Sequence, residues 1–119
     1  MKAITLGGLL MAAALLAGCA PKAPKTIYYW GDYQQQLYSY YQKDSDPLKQ
    51  IDALNLDVEK ARAANQPVAP GLHAQLGLLY AKTGDTHKAF GQFATEKQLF
   101  PEAGPYMDFL MSNKQGVTR

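Results

Sequence analysis

Apolar residues recur at intervals of three and four along most of the chain, a spacing typical of helices with one buried face. The clearest run covers residues 47–65, and its predicted buried stripe consists of Leu48, Ile51, Leu54, Val58 and Ala61. Asp46 suits the N-cap and Pro47 the first helical position, so the helix is predicted to begin there. Two prolines within residues 66–70 predict its end, because proline supplies no backbone donor.

The pattern that follows predicts a pair of short helices and then a third. Residues 72–82 form the first, with an apolar face made of Leu72, Leu76, Leu79 and Tyr80. Gly84 is expected to end it in the left-handed conformation, and Asp85 or Thr86 to cap the next helix. That helix runs to Pro101 and carries Ala89, Phe90, Phe93 and Leu99. A further helix begins near residues 104–105 and carries Tyr106, Phe109 and Leu110.

Ahead of these helices lies a dense aromatic segment, which holds six of the eight tyrosines and the only tryptophan. Residues 28–30 are predicted to be extended, with a strand hairpin as the weaker alternative. Asp32 and Gln35 have the spacing of a capping box, which predicts a helix over residues 33–43. The members of its apolar face are Tyr33, Leu37, Tyr40 and Tyr41.

These elements predict an all-α fold, a short helical-repeat stack of four to five helices behind an N-terminal tether. The predicted division is a signal peptide over residues 1–18, an acylated cysteine and linker over 19–27, a helical domain over 28–112 and a frayed tail over 113–119. About one hundred mature residues suffice for one small domain.

The first residues have the organisation of a secretory signal. Lys2 supplies a positive start, and the apolar run up to Leu16 is too short to span a bilayer comfortably. The run ends in Leu16, Ala17, Gly18 and Cys19, which resembles the lipobox of bacterial lipoproteins. The resemblance implies cleavage between Gly18 and Cys19 and a diacylglyceryl group on the Cys19 thiol.

Acylation of Cys19 would commit the only thiol, so we expect no disulfide within the mature chain. Buried methylenes contribute roughly 0.8 kcal/mol each, so diacylglycerol and an N-acyl chain, commonly palmitate, anchor a protein stably. Ala20 is not the aspartate that retains enterobacterial lipoproteins at the inner membrane. We therefore expect the outer membrane, with the domain facing the periplasm.

Composition argues against several other functions. The formal charge is +2 with no run of basic residues, so nucleic acid is not an expected partner. His73 and His87 have no cysteine or carboxylate at metal-ligand spacing, so no metal site is expected. Asp52 and Asp57 are placed on a solvent face of their helix. The sequence thus predicts neither an enzyme nor a small-molecule substrate, and no cofactor other than the lipid on Cys19.

Residues 70–103 fit one 34-residue frame that resembles a tetratricopeptide repeat. The residues that carry the resemblance are Leu76, Gly77, Tyr80, Ala89, Phe93 and Pro101. Gly77 and Ala89 are small where the two helices would cross closely, and the larger residues would fill the space around them. His73 and Glu96 depart from the motif, which often has tryptophan and alanine there. An ordinary helical hairpin is the alternative.

Over the mature length the chain also resembles a family of bacterial lipoproteins known as domain of unknown function 4810. The resemblance rests on the lipobox, the residues Tyr29, Trp30, Gly31, Asp32 and Tyr33, the pair Tyr40–Tyr41 and the hairpin that follows. It implies no enzymatic activity, and it implies an assembly role alongside other envelope lipoproteins.

The aromatic segment has two readings that the sequence leaves open. Tyrosine and tryptophan side chains suit a binding surface, but they also suit the core of a stack of short helices. The predicted partner-binding residues are Tyr28, Tyr29, Trp30, Tyr33, Tyr38 and Tyr41. The expected function is a protein–protein interaction module of the cell envelope. The alternative is a cell-wall lipoprotein that binds peptidoglycan or another glycan through this segment.

Overall fold

The computed structural model describes residues 26–113, and every structural statement below concerns them. Five α-helices lie in this range: α1 Tyr33–Tyr40, α2 Pro47–Ala63, α3 Leu72–Lys82, α4 Thr86–Leu99 and α5 Gly104–Ser112. A 3-10 turn, Pro101–Ala103, joins α4 to α5. The described residues form no strand beyond one isolated bridge, so the predicted all-α fold is confirmed.

Each helix packs on the next one in the chain, from α1 on α2 to α4 on α5. The most extensive of these contacts joins α3 to α4, which form an antiparallel hairpin around Gly84. Gly84 has φ 88°, as expected for a glycine that ends a helix. Asp85 then caps α4, because its Oδ1 accepts a hydrogen bond of 3.0 Å from the Lys88 N–H.

The start of α2 also follows the sequence prediction. Asp46 Oδ1 accepts from the N–H of Leu48 at 3.0 Å and of Lys49 at 3.4 Å, with Pro47 at the first helical position. The helix ends earlier than residue 65, because Asn65 takes φ 52° and leaves the helical conformation before the prolines are reached.

Two buried clusters hold the stack together. The first joins α1, α2 and α3 through Tyr33, Ile51, Leu54, Ala61, Val68, Ala69, Leu72, Leu76 and Leu79. The second joins α3, α4 and α5 through Ala81, Ala89, Phe93, Met107 and Leu110. Tyr80 packs against both clusters and accepts a hydrogen bond of 3.1 Å from Asn55 Nδ2 of α2.

The crossing of α3 and α4 is tight at Gly77. A β-carbon on Gly77 would overlap the ring of Phe93, and both residues are buried. Leu76 and Ala89 are also fully buried, while Tyr80 is half-buried and Pro101 follows the end of α4. The small and large residues predicted at this crossing therefore lie where a close approach of two helices requires them.

One predicted core position, Leu48, is wrong, and the helix predicted over residues 33–43 ends earlier than expected. Leu48 is 64% exposed in the first turn of α2, where Gln50 is the buried residue instead. Tyr41 is 77% exposed, because α1 ends at Tyr40 and Tyr41 is only its C-cap. The face predicted for α1 is thus reduced to the buried Tyr33 and the half-buried Leu37 and Tyr40.

Candidate interaction surface

The aromatic segment ahead of α1 is fixed to the helices by backbone and ring contacts. The Tyr29 N–H donates to the carbonyl of Pro67 at 2.8 Å, and Tyr29 forms a single parallel bridge with Val68. The Tyr28 ring lies edge-on to Trp30 at 6.4 Å and to Phe100 at 6.0 Å between centroids. These aromatic residues are half-buried, so the segment contributes to the fold; it bends at Tyr28 and pairs only at Tyr29.

A buried carboxylate from α2 binds the backbone of the turn that leads into α1. Asp57 is 1% exposed, and its Oδ2 accepts a hydrogen bond of 2.8 Å from the Asp32 N–H. Gly31 has φ 46° and lies so close that a side chain on it would overlap this carboxylate. Burial raises the pKa of Asp57, against the lowering effect of the hydrogen bond from Asp32.

Two sequence predictions about this turn are therefore wrong. Asp57 does not lie on a solvent face, because its carboxylate is enclosed by the Gly31 turn. The capping box does not form either, since the Asp32 side chain makes no cap hydrogen bond. In a capping box Gln35 would bind the Asp32 N–H, which Asp57 occupies instead.

Tyr33 belongs to the core and is not part of an accessible surface. It is 8% exposed, Trp30 stacks on it at 6.3 Å between ring centroids, and its hydroxyl lies against Gly71. Its predicted role in partner binding is not supported, because the fold covers its ring. Burial, followed by the nearby Glu96 and Tyr41, raises the pKa of the Tyr33 phenol above 10.0.

The buried position of the Tyr33 phenol predicts that the domain loses stability at alkaline pH. The unfolded phenol ionises near 10 while the buried one keeps its proton, so the free energy of unfolding falls as pH rises through about 10. Tyr40 is shifted in the same direction and adds to the loss. We expect Tyr33→Phe to reduce this dependence in urea titrations between about pH 9.5 and 11.5. Tyr38→Phe, at an exposed position, is the matched control, and equal curves for wild type and Tyr33→Phe would contradict the assignment.

Two predicted partner-binding residues lie at the surface at and beyond the end of α1. Tyr38 is 64% exposed and Tyr41 is 77% exposed. Tyr41 lies edge-on to the Tyr40 ring at 5.3 Å between centroids, and the ammonium of Lys82 lies 5.1 Å from the Tyr40 centroid. These contacts hold Tyr40 and leave the rings of Tyr38 and Tyr41 largely open to solvent.

A second surface lies at the junction of α3, α4 and α5. It is an open groove of about 310 Å³ lined by Pro70, Gly71, Ala74, Glu96, Phe100, Glu102, Ala103, Tyr106 and Met107. Tyr106 stacks on Phe109 at 6.4 Å, and the two side chains are 56% and 57% exposed. The groove and this aromatic pair were not singled out from the sequence, because the groove is assembled from three helices.

Glu96 lies beneath the groove and caps α3 from the neighbouring helix. It is 2% exposed, and its carboxylate accepts hydrogen bonds from the Gly71 N–H at 2.6 Å and the Ala74 N–H at 3.2 Å. These are donors that the first turn of a helix leaves without an intrahelical partner. The departure of Glu96 from the repeat motif thus has a structural reason.

The remaining candidate residues are dispersed. His73 is buried, with Nδ1 2.7 Å from Gln92 Oε1, while His87 is exposed in the first turn of α4. Within residues 26–113 no three ligating side chains converge as a metal site would require. No helix in that range is long and apolar enough to cross a membrane. The predicted cleavage and lipidation residues, Gly18 and Cys19, and most of the predicted tail lie outside the described residues.

The structure defines a small all-α domain with an aromatic N-terminal segment packed onto its helices and two exposed aromatic surfaces. The chain belongs to the family described as Domain of unknown function (DUF4810), whose model matches residues 27–110. No curated protein matches the chain, and no solved structure does. The resemblance of residues 70–103 to a tetratricopeptide repeat stays a prediction.

Proposed function

We propose that this protein is a non-enzymatic lipoprotein of the outer membrane that acts as a protein–protein interaction module in the cell envelope. The observation that carries the proposal is the pair of exposed aromatic surfaces on a small helical domain. Tyr38 and Tyr41 form one, and Tyr106 and Phe109 form the other beside an apolar groove. Exposed aromatic side chains favour protein interfaces, because they offer a large contact area with few rotatable bonds.

The lipobox supports the membrane anchor, and the start of the described domain supports its position. Thr26 lies seven residues after Cys19, and a fully extended chain spans at most about 3.6 Å per residue. The first residue of a domain tethered in this way stays within about 25 Å of the lipid attachment point. It is then held where other envelope lipoproteins are also concentrated.

The anchor predicts a large change in localisation when its thiol is removed. Cys19→Ser supplies no thiolate to accept the diacylglyceryl group, so we expect the protein to leave the outer-membrane fraction, either as a soluble or as an unprocessed form. Membrane fractionation with mass spectrometry of the N-terminal peptide measures this. The wild-type chain is the control. A Cys19→Ser protein that still fractionates with the outer membrane through attached lipid would overturn the anchor.

Affinity purification of the acylated protein from solubilised membranes tests the interaction. We expect one or two envelope proteins, lipoproteins among them, in stoichiometric amounts. Alanine at both Tyr38 and Tyr41, or at both Tyr106 and Phe109, should weaken their recovery without unfolding the domain, since these side chains are exposed. Recovery of peptidoglycan fragments alone would contradict the proposal and favour the glycan-binding alternative.

A further inference from the structure

The groove between α3, α4 and α5 carries charge of one sign only. Among its lining residues the charged ones are Glu96 and Glu102, and both are acidic. Glu102 is exposed and takes part in none of the ion pairs of the described residues. Lys97 is close in sequence, but its ammonium binds Asp108 at 2.8 Å and does not line the groove. Glu96 is buried, and both of its oxygens accept backbone hydrogen bonds, so the carboxylate that the groove presents to a ligand is that of Glu102, which has no cation beside it.

The rest of the groove is apolar and aromatic. Phe100, Tyr106 and Met107 form much of its wall, and Ala74 and Ala103 leave room between them. A volume of about 310 Å³ lies at the lower end of ligand sites, which span roughly 300–1,000 Å³. That space suits one long side chain with part of its neighbours better than it suits a large cofactor.

We propose that this groove binds a lysine or arginine side chain of a partner protein, flanked by apolar residues in an extended segment. The inference rests on the proposed function and gives the chemistry of the partner. The alkyl stem of such a side chain packs on the apolar wall while its charged end reaches the Glu102 carboxylate. A guanidinium or ammonium group can also lie over the Phe100 or Tyr106 ring.

Other occupants fit the groove less well. A lipid acyl chain would bury the Glu102 carboxylate against hydrocarbon, which is costly for a charged group without a partner. An anionic headgroup or a nucleic acid would meet charge of its own sign at Glu102. Charge complementarity therefore favours a basic side chain over a lipid or a nucleic acid.

The probes that test this are blocked pentapeptides with the sequence Ala-Leu-Xaa-Leu-Ala, in which the central residue is lysine, norleucine or glutamate. The full-length acylated protein, with ¹³C-labelled methionine methyl groups, is placed in phosphatidylcholine nanodiscs. Met107 lines the groove and reports binding, whereas Met111 does not line it and serves as the internal reference. We expect the lysine peptide to shift the Met107 methyl signal and to bind at least tenfold more tightly than the glutamate peptide.

Substitutions of residues that line the groove separate the effect of charge on peptide binding from the effect of apolar packing. Glu102→Gln should weaken binding of the lysine peptide about two- to fivefold and leave the norleucine peptide unchanged, as expected for an exposed ion pair. Asp52→Asn makes the same charge change at an exposed position of α2 outside the groove and should have no effect. Tyr106→Ser should weaken both peptides, because the Tyr106 ring is part of the wall.

Two results would overturn the inference. One is equal binding of all three peptides, which would show an apolar groove with no preference for a cation. The other is that none of the three peptides shifts the Met107 methyl signal, while the Glu102→Gln variant and the wild type have the same free energy of unfolding. If the lysine peptide binds as expected but purification from membranes recovers no envelope protein, the proposed function fails and the groove assignment stands.

Discussion

Replacing Phe93 by alanine is expected to lower the free energy of unfolding by about 3–5 kcal/mol, the largest effect of any single truncation in the stack. The Phe93 ring is fully buried and joins α3, α4 and α5 in one cluster with Ala81, Ala89, Met107 and Leu110. Its removal leaves a cavity that rigid helices fill only in part. Urea unfolding followed by circular dichroism measures the loss. If the alanine variant does not fold, Phe93→Leu is measured instead, and its loss should be smaller.

The crossing at Gly77 allows a sharper version of the same test. Gly77→Leu alone should cost about 1–3 kcal/mol, because its side chain overlaps the Phe93 ring. Combined with Phe93→Ala, it should cost less than the sum of the two single changes, with a coupling of about 1–3 kcal/mol. Gly91→Ala is the control: Gly91 lies in α4 with open space around it, so alanine should leave stability unchanged or raise it by up to about 1 kcal/mol. Additive losses would contradict the close crossing.

Replacing Glu96 by alanine is expected to lower the free energy of unfolding by about 2–3 kcal/mol. The change leaves the Gly71 and Ala74 N–H groups, in two half-buried residues, without their acceptor. Glu96→Gln should cost less, about 1–2 kcal/mol, because the amide oxygen still accepts one of these hydrogen bonds. Hydrogen exchange should accelerate at the Ala74 amide in both variants, and more so with alanine.

Gln98→Ala is the matched control for Glu96, since Gln98 is an exposed residue of the same helix. A change there should stay within about 0.5 kcal/mol. Equal stability of Glu96→Ala and Gln98→Ala would show that the carboxylate does not cap α3. An unaltered exchange rate at Ala74 would lead to the same conclusion.

The helices that could be predicted are those with local start and stop signals. Asp46 and Pro47 begin α2, and Gly84 with Asp85 separates α3 from α4, all within a few residues of the elements they define. Such signals act through backbone hydrogen bonds and φ preferences, so a single sequence contains them. This is why the bounds of α3 and the starts of α2 and α5 were predicted closely.

The features that could not be predicted depend on residues far apart in the chain. Asp57 accepts from the Asp32 N–H, and Glu96 accepts from the Gly71 N–H, each across 25 residues. A charged residue on a helix normally predicts a solvent face, so burial of these two carboxylates left no local signal. The groove was missed for the same reason, because no single helix forms it.

The aromatic segment illustrates both cases. The helix start at Tyr33 was predicted from the sequence, but the division of the aromatic side chains between core and surface was not. Tyr33 is buried in the cluster that α1 shares with the two helices that follow, while Tyr38 and Tyr41 remain exposed. Neither reading of the segment holds for every residue in it: part is core, and part is open to a partner.

The most direct test of the proposed interaction is photo-crosslinking in living cells. A photoreactive phenylalanine analogue is introduced at position 38 or 106 of the full-length protein, and at position 52, an exposed site outside both aromatic surfaces, as the control. We expect a discrete adduct with an envelope protein from position 38, position 106 or both, and none from position 52. Absence of a protein adduct at both aromatic positions, while the protein remains in the outer membrane, would contradict its role as an interaction module.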